Sequence, residues 1–145
     1  MIGILTALLS GALMSVQGVF NTGVSKEGGQ WVTNAFVQFT GFLVCLVIWF
    51  FAERGQHSIF DLFLVEKKYM LLGGVIGAFI TITVMWSMSG LGPAKAVMLI
   101  VVSQIITAYL IEVIGLFGVE RALFQWKKLL GAALAIGGII LFQWE

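Results

Sequence analysis

Charge is scarce in this 145-residue sequence, since only 10% of its residues are Asp, Glu, Lys or Arg, against about a quarter in an average soluble domain. With 60% hydrophobic residues and a mean hydropathy of +1.06, the chain has too few charged side chains to cover a soluble globule. The same composition excludes intrinsic disorder, which needs low hydrophobicity and high net charge. These values are typical of a helical protein that crosses a membrane several times.

Cysteine, histidine and proline are each present only once. Cys45 therefore cannot form an internal disulfide, and His57 cannot form a metal site by itself. The formal net charge of +1 gives no basic surface for nucleic acid. The sequence also has no phosphate-binding loop and no nucleophile with a base at a suitable spacing. We therefore expect no enzymatic activity, no cofactor, no metal ion and no nucleic-acid partner.

The charged residues divide the sequence into apolar stretches, most of which suit one membrane-spanning helix. Residues 1–25, 28–52 and 69–94 carry no charge, and a span needs about 20 apolar residues. The fourth span has to include Glu112. The sequence predicts a single transmembrane domain over residues 1–145 with five helices, at about 2–23, 30–52, 69–90, 94–117 and 127–144. The mixed apolar and charged segment at about 58–68 is expected to form a short helix in the membrane interface.

Lysine and arginine are unevenly shared between the two sides of the membrane. Five spans put the N-terminus and the second and fourth loops on one side, with six such residues: Arg54, Lys67, Lys68, Arg121, Lys127 and Lys128. The other side carries two, Lys26 and Lys95. Because basic residues collect on the cytoplasmic side, we predict a cytoplasmic N-terminus and an external C-terminus. Aromatic residues near the predicted span ends are expected to anchor them in the interface: Trp31, Trp49, Tyr69, Trp126 and Trp144.

Uncharged amides are the most informative polar groups inside the predicted spans. Gln17 and Asn21 lie four residues apart in the first helix, so they share one helix face. Asn34 and Gln38 have the same spacing in the second helix. With the intervening turn centred near residues 26–28, the two pairs are predicted to lie at two matching depths.

Gln104 in the fourth helix adds a third glutamine at the predicted depth of Gln17 and Gln38. At about 1.5 Å per residue, each lies roughly 15–18 Å from the outer turns, near the middle of a hydrocarbon core of about 30 Å. Secondary transporters bind their substrates at this depth. Two interpretations stay open, because the amides either line a solute site or form only interhelical hydrogen bonds. Trp86 correspondingly either lines an outer vestibule or anchors the interface.

Two charged residues fall within the predicted spans. Glu112 lies near the cytoplasmic end of the fourth helix, where it either takes part in proton coupling or pairs with Arg121 or Lys127. Lys95 lies at the start of the same helix, where a cation opposes the helix dipole. Its ammonium group either extends to the outer surface or attracts an anionic solute.

Several motifs resemble those of one transporter family. They are Gln17-Gly18-x-x-Asn21, Phe36-x-x-x-x-Gly41, Gln104-x-x-Thr107-x-x-x-Ile111-Glu112-x-x-Gly115-Leu116-Phe117-Gly118, Lys128-Leu129-Leu130-Gly131 and Gly137-Gly138. The pattern resembles the YdcZ-type family of small bacterial inner-membrane proteins, within the drug/metabolite transporter superfamily. The likeness spans most of the chain and is most specific from the fourth to the fifth helix.

The resemblance implies a five-helix half of the ten-helix drug/metabolite transporter architecture, with two copies in opposite membrane orientations. The chain departs from its relatives at two points. Position 112 usually holds Asp in the family, and the smallest members of the superfamily carry a cation-binding glutamate in the first helix, where this chain has Gln17 as its polar residue. Five helices form too thin a wall to enclose a pathway alone, so we expect an antiparallel homodimer or a paired homologous subunit.

The sequence therefore predicts an all-α, polytopic protein of the bacterial inner membrane. Its expected function is that of a secondary transporter subunit, a small-molecule exporter that moves a small organic metabolite or drug-like solute. The predicted site consists of Gln17, Asn21, Asn34, Gln38, Trp86 and Gln104, with Glu112 as a candidate for proton coupling. The alternative is a structural or accessory membrane subunit whose polar residues only hold helices together.

Overall fold

The computed structural model describes residues 1–142, which fold into helices and the segments that connect them. The five α-helices are α1 (Ile2–Gly28), α2 (Gln30–Ala52), α3 (Gly73–Leu91), α4 (Pro93–Ile114) and α5 (Trp126–Phe142). Three short 3₁₀ helices lie between them, at Ile59–Leu64, Lys68–Leu72 and Leu116–Gly118. Residues 1–142 contain no β-strand. The predicted all-α fold class is confirmed.

Four helical segments are long and apolar enough to cross a membrane: Ile2–Gly28, Gln30–Ala52, Lys68–Leu91 and Pro93–Ile114. They agree with the first four predicted spans to within five residues at each end. Helix α5 has 17 described residues, and the end of the predicted span 127–144, including Trp144, lies outside the described residues. The count of five spans therefore stays a prediction.

Large apolar side chains are exposed along all five helices. Their exposed fractions are between 51% and 70% at positions on α1, α2, α3, α4 and α5: Leu5, Phe39, Phe79, Leu110 and Leu134. Within a bilayer such side chains contact lipid, and the backbone polar groups are satisfied inside each helix. The exposed apolar surface of the five helices is therefore suited to contact with lipid.

The described chain divides into two compact units, one over residues 1–90 and the other from Leu91 onward. In the first unit, α1 and α2 form a helical hairpin with Gly29 as the single connecting residue. Gly29 has φ +79°, a conformation that glycine adopts without steric strain. The turn that was predicted to be centred near residues 26–28 therefore lies at Gly29 instead, because α1 stays helical through Gly28.

Helix α3 packs against α1 at Gly18, a buried residue of the first unit. A Cβ atom at this position would lie 2.5 Å from Cε and 2.8 Å from Sδ of Met88, and 3.2 Å from Cγ1 of Val84. The two helices thus approach closely where α1 has no side chain, as is common in membrane helix packing. Ile82 and Met85, on the same helix as Met88, are buried as well.

The second unit contains α4 and α5, and the segment between them folds back over the end of α4. Gly115 ends α4 with φ +74°, and the Ala122 N–H then donates to the Glu112 carbonyl oxygen at 2.9 Å. The Arg121 Nε–H donates to the Val113 carbonyl oxygen at 3.1 Å. Since the last carbonyl groups of a helix have no partner within it, these bonds fix how the chain enters α5.

The segment predicted as a short interfacial helix, residues 58–68, contains the 3₁₀ helix Ile59–Leu64. Ser58 and Asp61 form a capping box, in which the Ser58 N–H donates to Asp61 Oδ2 at 2.8 Å. Phe60 and Phe63 are exposed at 76% and 64%. These features favour a position in the membrane interface, which stays a prediction.

Candidate functional site

A group of buried polar side chains lies at the end of the α1–α2 hairpin in the first unit. Its members lie within eight residues of Gly29 along the chain: Asn21, Ser25, Thr33 and Asn34, with exposed fractions of 8%, 7%, 3% and 4%. Buried amides and hydroxyls are costly unless they are hydrogen-bonded. The hydrogen bonds of this group therefore indicate what it is able to bind.

Asn34 is held in one orientation by α3. Its Nδ2–H donates to the Ala78 carbonyl oxygen at 2.9 Å. Because a carbonyl oxygen only accepts hydrogen bonds, the amide nitrogen has to face it, and this fixes the side to which Oδ1 points. Oδ1 is buried and has no hydrogen-bond partner among residues 1–142. Such unpaired buried polar atoms are rare in native structures, so Oδ1 is an acceptor that lacks a donor among the described residues.

The neighbouring hydroxyl groups donate their protons to their own helices. Ser25 Oγ–H donates to the Thr22 carbonyl oxygen at 2.9 Å. Thr33 Oγ1–H donates to the Gly29 carbonyl oxygen at 2.8 Å. Each hydroxyl then presents only acceptor lone pairs to its surroundings. The end of the hairpin is therefore rich in hydrogen-bond acceptors.

Gln17 and Asn21 line an open groove along α1 with a volume of about 590 Å³. Its lining runs from Thr6 to Asn21 and is largely apolar. Ligand pockets have volumes of about 300–1,000 Å³ and combine apolar walls with a few polar groups. The predicted common face of Gln17 and Asn21 is confirmed, because both residues line this groove.

Asn34 and Gln38 likewise share a face of α2, which is directed at α3. The Gln38 Nε2–H donates to Thr81 Oγ1 at 3.3 Å, one helical turn beyond the contact of Asn34 with Ala78. Relative to Gly29, Asn21 lies eight residues before the turn and Asn34 five residues after it. This offset of three residues corresponds to about 4.5 Å along the helix. The amide pairs of α1 and α2 were expected to lie at matching depths. With the turn at Gly29, their depths differ by about 4.5 Å instead.

Trp86 lies at the level of the hairpin turn. Its indole N–H donates to Oε1 of Gln30, which is the first residue of α2. The side chain is 50% exposed. A tryptophan at this level is placed either to line the rim of an outer vestibule or to anchor the helix in the membrane interface. Both interpretations of Trp86 therefore stay open.

Gln104 lies on α4, in the second unit, and its side chain is exposed. It lies in the centre of α4, eleven residues after Pro93 and ten before Ile114, and its depth at the middle of the membrane stays a prediction. Its convergence with Gln17 and Gln38 stays a prediction.

Glu112 forms an ion pair with Lys128, whose Nζ lies 2.8 Å from Glu112 Oε2. The predicted partners Arg121 and Lys127 are therefore wrong. Arg121 is bound instead to the end of α4 through the Val113 carbonyl oxygen. The folded-back connection brings Lys128, the third residue of α5, beside the last turn of α4. The two charged side chains are 45% and 44% exposed, so the pair is open to its surroundings.

Ser25 is a polar residue of the hairpin that the sequence reasoning did not identify. It lies four residues after Asn21, which itself lies four residues after Gln17. Extending the same helix face by one more turn would have found it. Thr33 has no comparable signal, because its burial depends on how α2 leaves the turn at Gly29.

Long apolar helices with exposed, lipid-compatible surfaces define a polytopic helical membrane protein. The family model described as "Putative inner membrane exporter, YdcZ" matches residues 2–141, from the start of α1 nearly to the end of α5. The chain belongs to this family, and it is a multi-pass protein of the inner membrane. No curated protein and no solved structure matches the chain.

Proposed function

We propose that the protein is one subunit of a secondary transporter that exports a small organic metabolite or drug-like solute across the bacterial inner membrane. Membership of an inner-membrane exporter family supports export. The observation that carries the assignment of a polar solute site is the buried Oδ1 of Asn34, which has no partner among residues 1–142. Most buried amides that join helices have the oxygen as well as the nitrogen hydrogen-bonded, so the unpaired Oδ1 favours a partner from outside the described residues.

In this proposal the solute lies in the α1 groove and contacts the amides of Gln17 and Asn21. Asn34 and Gln38 contribute polar groups of α2 in the same unit, and the predicted role of Gln104 as a further solute contact is tested by its own variant. Trp86 lies at its rim. Residues 1–25 and 69–94 carry no charge, so a bare cation would lose its hydration without gaining a counter-ion from these segments. Neutral or zwitterionic solutes suit a site built from carboxamides.

The transporter is proposed to work as a dimer, either as an antiparallel homodimer or with a paired homologous subunit. The groove along α1 is open, and a second subunit would supply the wall that it lacks. The excess of six basic residues over two favours a single orientation with a cytoplasmic N-terminus, and it therefore favours a paired homologous subunit over an antiparallel homodimer. Proton coupling by Glu112 stays a prediction. A proton that binds the Glu112 carboxylate would have to displace Lys128 from the ion pair.

A thermal-shift screen of the purified protein in detergent tests the solute site. A neutral or zwitterionic metabolite that binds only the folded protein raises its stability, by about 2.7 kcal/mol at one hundred times its Kd. Gln17→Ala and Gln104→Ala should abolish this shift and leave the protein folded. Thr83→Val is the matched control, because the Thr83 hydroxyl donates only to carbonyl oxygens of its own helix.

The opposite pattern would contradict the proposal. If no solute shifts the wild-type protein, and if Gln17→Ala and Gln104→Ala each lower its melting temperature, the amides act as interhelical hydrogen bonds only. The structural or accessory subunit would then be the better description.

A further inference from the structure

A second cavity, the α4–α5 pocket, lies wholly within the second unit and has a volume of about 610 Å³. Tyr109, Glu112 and Lys128 line one of its ends, and Ile105 and Ala135 line the other. It is separate from the α1 groove, which is lined by residues of α1 alone. None of the roles considered for the amides uses it.

The walls of the α4–α5 pocket change from charged to apolar along both helices. On α4, Ile105 lies seven residues from Glu112, and on α5, Ala135 lies seven residues from Lys128. Seven helical residues correspond to about 10 Å. Gly131, which has no side chain, and the small alanines of α5 line the pocket and leave room between the helices. The pocket therefore matches a molecule with a charged head and an apolar chain.

The charged end of the α4–α5 pocket lies where α4 ends and α5 begins, which are the positions expected at the headgroup layer. Glu112 is two residues from the end of α4, and Lys128 is the third residue of α5. Phe124 and Trp126 lie at the same end, with their ring centroids 5.2 Å apart. Aromatic residues of this kind mark the membrane interface. The apolar end of the pocket then lies in the hydrocarbon layer.

The ion pair at this end offers one positive and one negative group to a headgroup. Lys128 Nζ lies 5.6 Å from the Tyr109 ring, whose electrons favour a cation. The Tyr109 hydroxyl is already occupied, since it accepts the Gln125 N–H at 3.0 Å and lies 3.4 Å from the Gln125 carbonyl oxygen. Glu112 and Lys128 are both nearly half exposed, so an approaching headgroup is able to reach them.

We propose that the α4–α5 pocket binds a phospholipid with an ethanolamine headgroup. The lipid ammonium group donates hydrogen bonds to the Glu112 carboxylate, the phosphate accepts from Lys128 Nζ, and an acyl chain lies along the apolar walls. An anionic headgroup would leave Glu112 facing a phosphate without a compensating cation. A choline headgroup has no N–H with which to bond the carboxylate. The pocket should therefore select by headgroup.

Native mass spectrometry of the delipidated protein tests this proposal with three synthetic lipids of identical acyl chains. Their headgroups are phosphoethanolamine, phosphocholine and phosphoglycerol. The wild-type protein should retain the ethanolamine lipid about tenfold better than the other two, the factor expected for one charge-assisted hydrogen bond. Glu112→Gln and Lys128→Met should each remove this preference. Lys127→Met is the matched control, because Lys127 does not line the pocket.

Ala132→Leu is a second variant that leaves both charges in place. Ala132 lines the apolar part of the pocket, so a larger side chain there should weaken binding of all three lipids. Equal retention of the three lipids by the wild-type protein would overturn the proposal. So would loss of a lipid-independent dimer in Glu112→Gln and Lys128→Met, because a second copy of the chain would then be the occupant. Neither result bears on solute binding in the α1 groove, which the thermal-shift screen measures.

Discussion

Replacing Asn34 by leucine separates a transporter site from a structural hydrogen bond, because the two interpretations predict opposite changes in stability. The substitution keeps a branch at Cγ and removes both polar atoms. It removes the hydrogen bond to the Ala78 carbonyl oxygen, at a cost of about 0.5–1.5 kcal/mol. It also removes the unpaired buried Oδ1, whose desolvation costs about 1–3 kcal/mol. The balance is roughly neutral to about 2 kcal/mol in favour of the variant.

The assay is thermal unfolding of purified Asn34→Leu beside the wild-type protein without added solute. The melting temperature should be unchanged or higher, and binding of any solute found in the screen should be lost. Asn34→Asp should be less stable than the wild-type protein, because a carboxylate oxygen cannot donate to the Ala78 carbonyl oxygen. Gln38→Leu is the matched comparison for stability alone: it removes a hydrogen bond of 3.3 Å to Thr81 on the same helix face but no unpaired buried oxygen, so it should not raise the melting temperature.

A clear loss of stability in Asn34→Leu, by more than about 1 kcal/mol, would refute this reasoning. It would mean that Oδ1 has a partner in the membrane-embedded protein and that Asn34 serves to join the helices. A neutral Asn34→Leu with unchanged solute binding would remove Asn34 from the site and leave the α1 groove to be tested separately.

Two further predictions follow from the packing and from the distribution of charge. Gly18→Leu should destabilise the protein by about 1–3 kcal/mol in thermal unfolding, as overpacking does, because an added Cβ already lies 2.5 Å from Met88. Gly11→Ala should be neutral or slightly stabilising, because nothing among the described residues lies within 4 Å of its added Cβ atom. Equal changes in stability for the Gly18 and Gly11 variants would contradict the close packing of α1 against α3. On a Cys45→Ser background, a membrane-impermeant thiol reagent should label Lys26→Cys in intact spheroplasts and label Gln56→Cys only in inverted vesicles. The reverse pattern would contradict a cytoplasmic N-terminus.

The helices were predictable from the sequence because hydropathy and charge set their lengths directly. The starts of α1 and α2 and the end of α2 agree with the prediction. The turn between α1 and α2 was misplaced because Lys26 and Glu27 suggested a polar loop, whereas both lie in the last turn of α1. In helices of this length, one glycine with positive φ suffices to reverse the chain.

The site was predictable only in part. Spacing by four residues placed Gln17 with Asn21, and Asn34 with Gln38, and the structure agrees with both pairs. The partner of Glu112 was not predictable, because it depends on the path of the connection that uses Arg121 to cover the end of α4. The unpaired Oδ1 of Asn34 depends on how α2 packs against α3, where the Ala78 carbonyl oxygen accepts from the amide nitrogen, and no spacing in the sequence encodes this contact.

The most direct test of solute export by an amide-lined site is a flux measurement in proteoliposomes. Vesicles that contain the wild-type protein, loaded with a solute identified by the thermal-shift screen, should show saturable exchange of that solute. Vesicles with Gln17→Ala and Gln104→Ala combined should show only the leak of protein-free vesicles, while Thr83→Val should retain exchange. Equal saturable exchange by the wild-type protein and the double variant would contradict the assigned site. A flux through the wild-type protein that rises linearly with solute concentration would contradict a carrier altogether.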